Sequence, residues 1–317
     1  MKKVIYVLIF LFAFQIGDAQ WQSVSNGLGL FSFQNFDKNN DYLLICSNWK
    51  IFLSKNYGDN WEETQSIKDE YGSAIEIKCV KFLDNYLIAG TKKGIFISKD
   101  YGKTWEAKNN TFNISGNVIP VINCILIKDN NIFIGTNNGV YLSNDKCNNW
   151  ISKNKRLIIG NSVLNTNIMT FKNNILIITG GDYFNDSGIY FSIDFGNTWE
   201  KSSFLNASIR TLYTFNDLIL IGADNGIFTS NNNGKSFTQS DFGRTNSITS
   251  YKNILLAAKD YEGLFYSNSN GNKWIKNDMI GVDELPRQAV SLFTNNNYVF
   301  ITYLNGKNII YRLKLKE

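Results

Sequence analysis

The sequence contains no histidine and only two prolines in 317 residues. Histidine is the usual general base, nucleophile activator and zinc ligand, so its absence excludes Ser-His-Asp and Cys-His catalysis and histidine-bearing zinc sites. The four cysteines show no C-x-x-C spacing, which is the mark of many metal and redox sites; they are Cys46, Cys79, Cys124 and Cys147. We therefore expect no metal and no cofactor.

Charge is also sparse, at 19% of residues, and the net charge of +5 arises from 32 basic and 27 acidic side chains. Dense basic clusters, which neutralise a phosphate backbone, are missing, so a nucleic acid partner is not expected. The 44% of hydrophobic residues is enough for a large core and excludes a disordered chain.

The first residues have the pattern of an export signal. Lys2 and Lys3 precede a short apolar run at 4–14, and small residues around Ala19 form a cleavage site. An uncleaved anchor is the alternative, but a membrane span needs about 20 apolar residues. The sequence thus predicts a signal peptide at 1–19 and a secreted or periplasmic product without a membrane span after cleavage. Separately, we expect a monomer.

One eight-residue motif occurs six times and sets the fold. The copies are SKNYGDNW (54–61), SKDYGKTW (98–105), SNDKCNNW (143–150), SIDFGNTW (192–199), SNNNGKSF (230–237) and SNSNGNKW (267–274). Their starts lie between 37 and 49 residues apart, a period that matches one four-stranded propeller blade.

Each copy follows two apolar runs joined by a tight turn, as in IFIGTNNGVYLS, which predicts a hairpin of strands B and C. A further apolar run upstream supplies the inner strand A. The aromatic residue that ends each motif then begins the outer strand D. The motif itself is the C–D turn.

The residues of this turn predict a structural role. Its third position holds a short hydrogen-bond acceptor, and the terminal aromatic side chain is expected to pack; the structural positions are Asn56, Asp100, Asp145, Asp194, Asn232, Trp61, Trp105, Trp150, Trp199 and Trp274. Glycine follows two positions after the acceptor in most copies, where a left-handed conformation is easiest. Cys147 replaces that glycine in the third copy, which predicts a distorted turn.

The two ends of the chain complete the ring. Trp21 lies on the same period as Trp61 and looks like a strand D without its own A, B and C, while the segment 289–317 supplies three strands without a D. Joining them predicts an all-β fold, a seven-bladed β-propeller of four-stranded antiparallel blades closed by an N-terminal outer strand. Residues 20–317 would form this single domain, without open sheet edges.

These motifs resemble the Asp-box, or bacterial neuraminidase repeat, S-x-D-x-G-x-T-W. The resemblance covers essentially the whole mature chain, and it implies a propeller more similar to sortilin and to a photosystem II assembly factor than to true sialidases. Sialidases carry an F/Y-R-I-P motif, and this chain has none. Because the family spans enzymes, receptors and assembly factors, the resemblance does not fix a function.

Strand polarity places the B–C turns and the D–A connections together, opposite the Asp-box turns. Arg210, Arg244 and Arg287 fall on that side, and arginine readily binds carboxylate, sulfate or phosphate. Ligand contacts are also expected from the aromatic residues of three B–C turns, which are Trp49, Tyr183 and Tyr261.

Two functions are compatible with this face. The favoured hypothesis is a non-catalytic propeller that binds a protein or a glycan there, an anionic glycan included. The alternative is a glycoside hydrolase or lyase-like enzyme acting on extracellular polysaccharide; its candidate acids are Asp182, Asp186, Asp260 and Glu262. Cys79 and Cys124 occupy matching places in two successive repeats, so a disulfide between them is one alternative. Free buried thiols are the favoured interpretation.

Overall fold

The computed structural model describes residues 21–29, 33–112, 118–159, 162–181, 188–204, 208–276, 289–295, 297–304 and 308–314. The predicted signal peptide at 1–19 lies outside these residues. Within them the chain is all β, and seven four-stranded antiparallel sheets follow one another as the blades of a propeller. The fold class predicted from the repeats is thereby confirmed.

The strands of the first four blades have a constant order from the inner strand A to the short outer strand D. Blade 1 is β2 (Phe33–Asn39), β3 (Tyr42–Ser47), β4 (Ile51–Ser54) and β5 (Glu62–Glu63); blade 2 is β6 (Ile77–Leu83), β7 (Tyr86–Thr91), β8 (Gly94–Ser98) and β9 (Glu106–Ala107); blade 3 is β10 (Ile122–Lys128), β11 (Asn131–Thr136), β12 (Gly139–Ser143) and β13 (Ile151–Ser152); blade 4 is β16 (Asn165–Lys172), β17 (Ile175–Gly181), β18 (Gly188–Ser192) and β19 (Glu200–Lys201). A small hairpin, β14 (Ile158–Ile159) and β15 (Ser162–Val163), lies between blades 3 and 4.

The remaining blades keep this order. Blade 5 is β20 (Ile209–Phe215), β21 (Leu218–Ala223), β22 (Gly226–Ser230) and β23 (Thr238–Phe242); blade 6 is β24 (Thr245–Tyr251), β25 (Ile254–Lys259), β26 (Gly263–Ser267) and β27 (Ile275–Lys276); blade 7 is β28 (Ala289–Thr294), β29 (Tyr298–Leu304), β30 (Asn308–Lys314) and β1 (Gln22–Ser23). The N-terminal strand pairs antiparallel with the last strand through Gln22 and Arg312. The predicted ring closure is confirmed.

The core lies between the blades. Among the described residues there are seven hydrophobic clusters, one for each pair of neighbouring blades. The cluster between blades 7 and 1 contains Phe300 and Ile310 beside Leu43 and Ile45, all four at 0% exposure. Burial of these faces drives the stacking of the sheets, since each apolar face is covered by the next blade.

Polar side chains provide hydrogen-bond partners for some backbone N–H groups of the inner strands, because strand A has no further strand to pair with. Asn35 Oδ1 accepts the Val80 N–H at 3.1 Å, and Asp37 Oδ2 accepts the Phe82 N–H at 2.7 Å. These acceptors come from one inner strand and the amides from the next. Backbone N–H groups that would otherwise be unpaired at the channel are thus hydrogen-bonded to side chains of the neighbouring blade.

The Asp-box turn is a compact hydrogen-bonded unit. In the fourth copy, the Ser192 hydroxyl donates to Asp194 Oδ1 at 2.7 Å and accepts the Gly196 N–H at 2.8 Å. The Asp194 carboxylate also accepts the Thr198 backbone N–H at 2.8 Å and the Thr198 hydroxyl at 2.7 Å. All of these bonds lie within the turn, and they hold strand C against strand D.

Four of the tryptophans that end the motif connect blades 1 to 4 to the segment after the preceding blade. Their indole N–H groups donate to backbone carbonyls 37 to 46 residues earlier, in the pairs Trp61 to Val24, Trp105 to Gln65, Trp150 to Lys108 and Trp199 to Lys153. Each of these four tryptophans therefore packs against the core and also links two blades.

The prediction of a distorted turn at Cys147 is wrong. Cys147 adopts a φ of 66°, its N–H donates to Ser143 Oγ at 2.9 Å, and Asn149 N–H reaches Asp145 Oδ1 at 2.9 Å, as in the other copies. The thiol is completely buried in the cluster that contains Trp150. Packing of the side chain offsets the cost of a left-handed conformation in a residue with a β-carbon.

All four cysteines are free thiols in the structure. The described residues include no helix with the length and apolar character required to cross a bilayer.

Candidate binding face

The B–C turns and the D–A connections lie at one end of the propeller, which we call the B–C face. The A–B turns and the Asp-box turns form the other end, the Asp-box face. Every inner strand has a β-bulge near its start, beside the B–C face. A bulge redirects its extra side chain, and in blade 5 that side chain is Arg210, between Ile209 and Thr211.

Two of the predicted arginines meet at one carboxylate. Arg210 Nε contacts Asp224 Oδ1, and Arg244 Nε lies 3.3 Å from the same oxygen. Asp224 belongs to the B–C turn of blade 5, and Arg244 to the connection between blades 5 and 6. The positive charge that the sequence predicts on this face is therefore partly neutralised by the Asp224 carboxylate.

Asp260 completes this group. Arg244 Nη1 lies 3.3 Å from Asp260 Oδ2, and the Asp260 N–H donates to the Arg244 carbonyl at 2.8 Å. The Asp260 side chain is only 5% exposed, and its Oδ1 has no hydrogen-bond partner in the part of the chain that the structure describes. We refer to Arg210, Asp224, Arg244 and Asp260 as the arginine cluster.

A buried lysine lies next to the cluster. Lys259, with a side chain 2% exposed, donates to Asp241 Oδ2 at 2.5 Å and to the Phe242 carbonyl at 2.6 Å, and its ammonium lies 4.2 Å from the centre of the Phe265 ring. These contacts attach the end of β23 to blade 6. As a result, the backbone that carries Phe242 is fixed, while the Phe242 side chain is 74% exposed.

Exposed hydrophobic side chains concentrate on the B–C face. Of the ten large hydrophobic residues that are exposed in the described part of the chain, six lie in its turns and D–A connections, and a seventh, Phe242, ends strand D of blade 5; the seven are Trp49, Tyr71, Val118, Ile119, Ile158, Phe242 and Tyr261. Two others, Tyr101 and Ile193, lie in Asp-box turns on the opposite face.

The predicted aromatic contacts are only partly within the described residues. Trp49 is 49% exposed in the B–C turn of blade 1, and Tyr261 is 66% exposed in the B–C turn of blade 6. Tyr183 and Arg287 lie outside the described residues. The structure thus brings Arg210, Arg244 and Asp260 into one group of charged side chains. Tyr261 directly follows Asp260 in the chain, whereas Trp49 lies two blades away.

The candidate catalytic acids have different environments. Asp182 and Asp186 lie outside the described residues. Asp260 is buried and paired with Arg244, whereas Glu262 is exposed, and its carboxylate lies so close to Gly243 that a β-carbon there would overlap it. Among the described residues there is no group of three or more acidic or cysteine side chains that could hold a metal ion.

Sequence reasoning missed Asp224, Asp241, Lys259 and Phe242. Lys259 ends an otherwise apolar strand, ILLAAK, and a charged residue there is a signal that a partner is needed. The partner itself, on the preceding blade, has no local signal.

Comparisons with known proteins agree with this architecture. The BNR-Asp box repeat model matches residues 95–107, which contain the second Asp-box turn. No curated protein sequence matches the chain significantly.

Three solved structures share the fold. YCF48 bound to D1 peptide has a TM-score of 0.73 at 14% identity, with 93% of this chain and 97% of that chain covered. PorZ, a surface component of the type-IX secretion system of Porphyromonas gingivalis, has a TM-score of 0.69 at 14% identity, with 90% and 47% covered. The extracellular domain of the putative one component system BT4673 from B. thetaiotaomicron has a TM-score of 0.68 at 16% identity, with 92% and 40% covered.

This chain therefore spans less than half of the PorZ and BT4673 chains. Such low identities show the fold alone. The chain is a seven-bladed β-propeller, all β in its described residues. More particularly, it carries the BNR-Asp box repeat, with six copies of the turn in its sequence.

Proposed function

We propose that this chain is an exported, non-catalytic propeller that binds a segment of a partner protein on its B–C face. The observation that carries the proposal is the concentration of exposed hydrophobic side chains on that face. Single exposed hydrophobic residues are ordinary on any protein surface. Seven of the ten on one end of the propeller, four of them aromatic, favour that end as the interaction surface.

The charges of the face favour a protein over an anionic glycan. The arginine cluster contains two guanidinium groups and two carboxylates in contact with one another. Its formal charges cancel, which removes much of the electrostatic reason for an anionic ligand. The charge-balanced arginine cluster, with Phe242 and Tyr261 near it in the chain, fits a peptide with both polar and apolar side chains better than it fits an anionic glycan. Hydrogen bonds would fix the orientation of the peptide, and aromatic contacts would supply affinity.

Related folds support a protein partner and an extracellular location. YCF48 has been seen with a D1 peptide, PorZ is a bacterial surface component, and the BT4673 propeller is part of an extracellular domain. These facts concern those proteins. Together with the export signal predicted at 1–19, they make a secreted or periplasmic binding protein the consistent interpretation for this chain.

The glycoside hydrolase alternative receives less support from the described acids. Such an enzyme needs two carboxylates on either side of one bond, about 5–9 Å apart. Asp260 is almost sealed from solvent and already bound to Arg244, so it is poorly placed to reach a sugar.

Site-specific photo-crosslinking tests the proposal. A photoreactive phenylalanine analogue would replace Phe242, Tyr261 or Trp49 in separate variants, expressed in the source cells with the native export signal. Tyr101, an aromatic residue exposed by 37% on the Asp-box face, is the matched control position. We expect one discrete protein adduct from the B–C face positions, identified by mass spectrometry, and none from position 101.

Two outcomes would contradict the proposal. Equal adducts from position 101 would remove the preference for the B–C face. No protein adduct from any position, combined with saturable binding of the purified chain on a glycan array, would replace the protein partner with a carbohydrate.

A further inference from the structure

A cavity of about 470 Å³ lies on the side of the molecule away from the B–C face. Its walls come from the ends of four inner strands that follow one another around the ring, in blades 5, 6, 7 and 1; they include Tyr213, Ser250, Lys252, Thr294, Asn295 and Lys38. Because strand A runs towards the A–B turns, the cavity is located at the Asp-box end of the central channel.

Hydrogen bonds between blades fix the walls of the cavity. The Tyr213 and Ser250 hydroxyls are 2.9 Å apart, which joins blades 5 and 6. The Thr294 hydroxyl donates to the Ser250 carbonyl at 2.8 Å, joining blades 6 and 7, and the Lys38 ammonium donates to the Thr294 carbonyl, joining blades 7 and 1. A site built on such rigid strands is already organised before a ligand arrives.

Asn295 provides a donor without a partner. The residue is 7% exposed, and its Oδ1 accepts the N–H groups of Asn297 at 3.0 Å and Tyr298 at 2.7 Å. These two bonds determine which side-chain atom is oxygen. The amide nitrogen Nδ2 is buried and makes no hydrogen bond in the described part of the chain. A buried donor that lacks an acceptor is unfavourable, and Asn295 lines the cavity, so a small shift of the side chain that lets Nδ2 reach a ligand oxygen would stabilise it.

The charge of the cavity is positive. Lys38 and Lys252 line it, and none of its described lining residues is acidic. The nearest acid in sequence, Asp37, is engaged elsewhere, with Lys81 Nζ at 2.9 Å and the Phe82 N–H at 2.7 Å. Partial burial lowers the pKa of Lys38, and the negative charge of Asp37 acts in the opposite direction.

We propose that this cavity binds a small oxyanion, a carboxylate or a phosphate ester, through Lys38, Lys252 and the Asn295 amide. Its lining offers two ammonium groups, an amide donor and hydroxyl groups, which together match an anionic oxygen acceptor. The cavity volume lies within the range of about 300–1,000 Å³ that is common for small-ligand sites. This site is separate from the B–C face and does not depend on the function proposed for it.

Isothermal titration calorimetry of the mature protein tests the proposal. The probes are inorganic phosphate, sulfate and citrate, each at the same total ionic strength. We expect saturable binding with one site per chain for at least one probe. Preference for citrate would indicate a carboxylate ligand, and preference for phosphate would indicate a phosphorylated one.

Three variants locate the binding. Asn295→Asp keeps the Oδ1 acceptor for residues 297 and 298 but replaces the Nδ2 donor with a negative oxygen, and Lys38→Met removes one charge. Each should weaken binding about tenfold or more. Lys55→Met is the matched control, since Lys55 is exposed on the same face and pairs with Glu62. It should bind as the unmodified protein does.

Nuclear magnetic resonance adds a readout that reports on the site itself. The side-chain amide signal that disappears in Asn295→Asp should shift on titration of the unmodified protein. The proposal is overturned if no probe gives saturable heat, or if Asn295→Asp and Lys38→Met bind as tightly as Lys55→Met. It is also overturned if the Asn295 amide signal does not move while heat is observed.

Discussion

Arg312 Nη2 donates to Gln22 Oε1 at 2.8 Å and so joins the last strand of the propeller to the first. The same guanidinium reaches the Tyr57 carbonyl at 2.9 Å and Asp59 at 2.7 Å, and it lies 4.7 Å from the Tyr298 ring. Arg312 is 7% exposed. One side chain therefore binds the closing strand, blade 7 and the Asp-box turn of blade 1.

Replacement of Arg312 should weaken the closure of the ring. We expect Arg312→Met to lower the free energy of unfolding by about 2–4 kcal/mol, because several charge-assisted hydrogen bonds are lost at a buried position. Arg312→Lys should have an intermediate effect, since lysine keeps the charge without the planar fork. Urea denaturation measures the change.

The control for this variant is Lys314→Met on the same strand, where the side chain is exposed. It should alter stability by less than about 0.5 kcal/mol. Equal effects of the two substitutions would show that the contacts of Arg312 do not stabilise the closure.

The Asp-box aspartates should make the protein sensitive to acid. Hydrogen bonds from the Thr104 hydroxyl and the Thr104 backbone, against the effect of desolvation, lower the pKa of Asp100 to about 2 from 3.8. A pKa that is lower in the folded state adds stability above the unfolded value, and this stability is lost as the pH falls from about 4 to about 2.

Asp100→Asn tests this dependence, because asparagine keeps the acceptor for Thr104 and Ser98 but does not titrate. Thermal unfolding between pH 5 and pH 2 should be less dependent on pH in the variant than in the unmodified protein. Identical pH profiles would mean that Asp100 titrates normally in the folded state.

The thiols should resist modification in the native protein. Burial raises the pKa of Cys79 and Cys147 to about 12 each, which leaves a thiolate fraction on the order of 10⁻⁴ at pH 8. A thiol reagent should label Cys46, Cys79 and Cys147 only after unfolding, and the intact mass should correspond to four free thiols. A disulfide between Cys79 and Cys124, or rapid labelling of the native state, would contradict this expectation.

Lys259 should control the local stability of the B–C face near Phe242. Lys259→Met removes the contacts to Asp241 and to the Phe242 carbonyl. We expect faster hydrogen exchange in a peptide covering β23 and Gly243, with little change in blades 1 to 3. Lys276→Met, an exposed substitution in blade 6, is the control; uniform acceleration across the chain would instead indicate global destabilisation.

The architecture was predictable because its signals are local. Ser192, Asp194 and Gly196 lie within five residues of one another, and their hydrogen bonds form inside one turn. A motif of this kind is readable wherever it occurs, and its spacing gives the blade length. Closure was also predictable, since Trp21 falls on the same period as Trp61.

The candidate sites were only partly predictable. The sequence placed Arg210 and Arg244 on one face, but it gave no indication that Asp224 lies between them. The bulge at Arg210 and the pairing of Lys259 with Asp241 arise from contacts between strands and blades. Likewise, the cavity that includes Lys38 and Asn295 joins residues more than 250 positions apart.

The sequence by itself determined the blades, their number and the order of their strands, because hydrogen-bonded turns and apolar alternation act over a few residues. Only the tertiary structure decided which charges neutralise one another on the B–C face and which donors stay unpaired in the channel. Both features depend on the stacking of separate blades around a ring. The contacts join side chains that are far apart in the sequence, so no short segment of the chain predicts them.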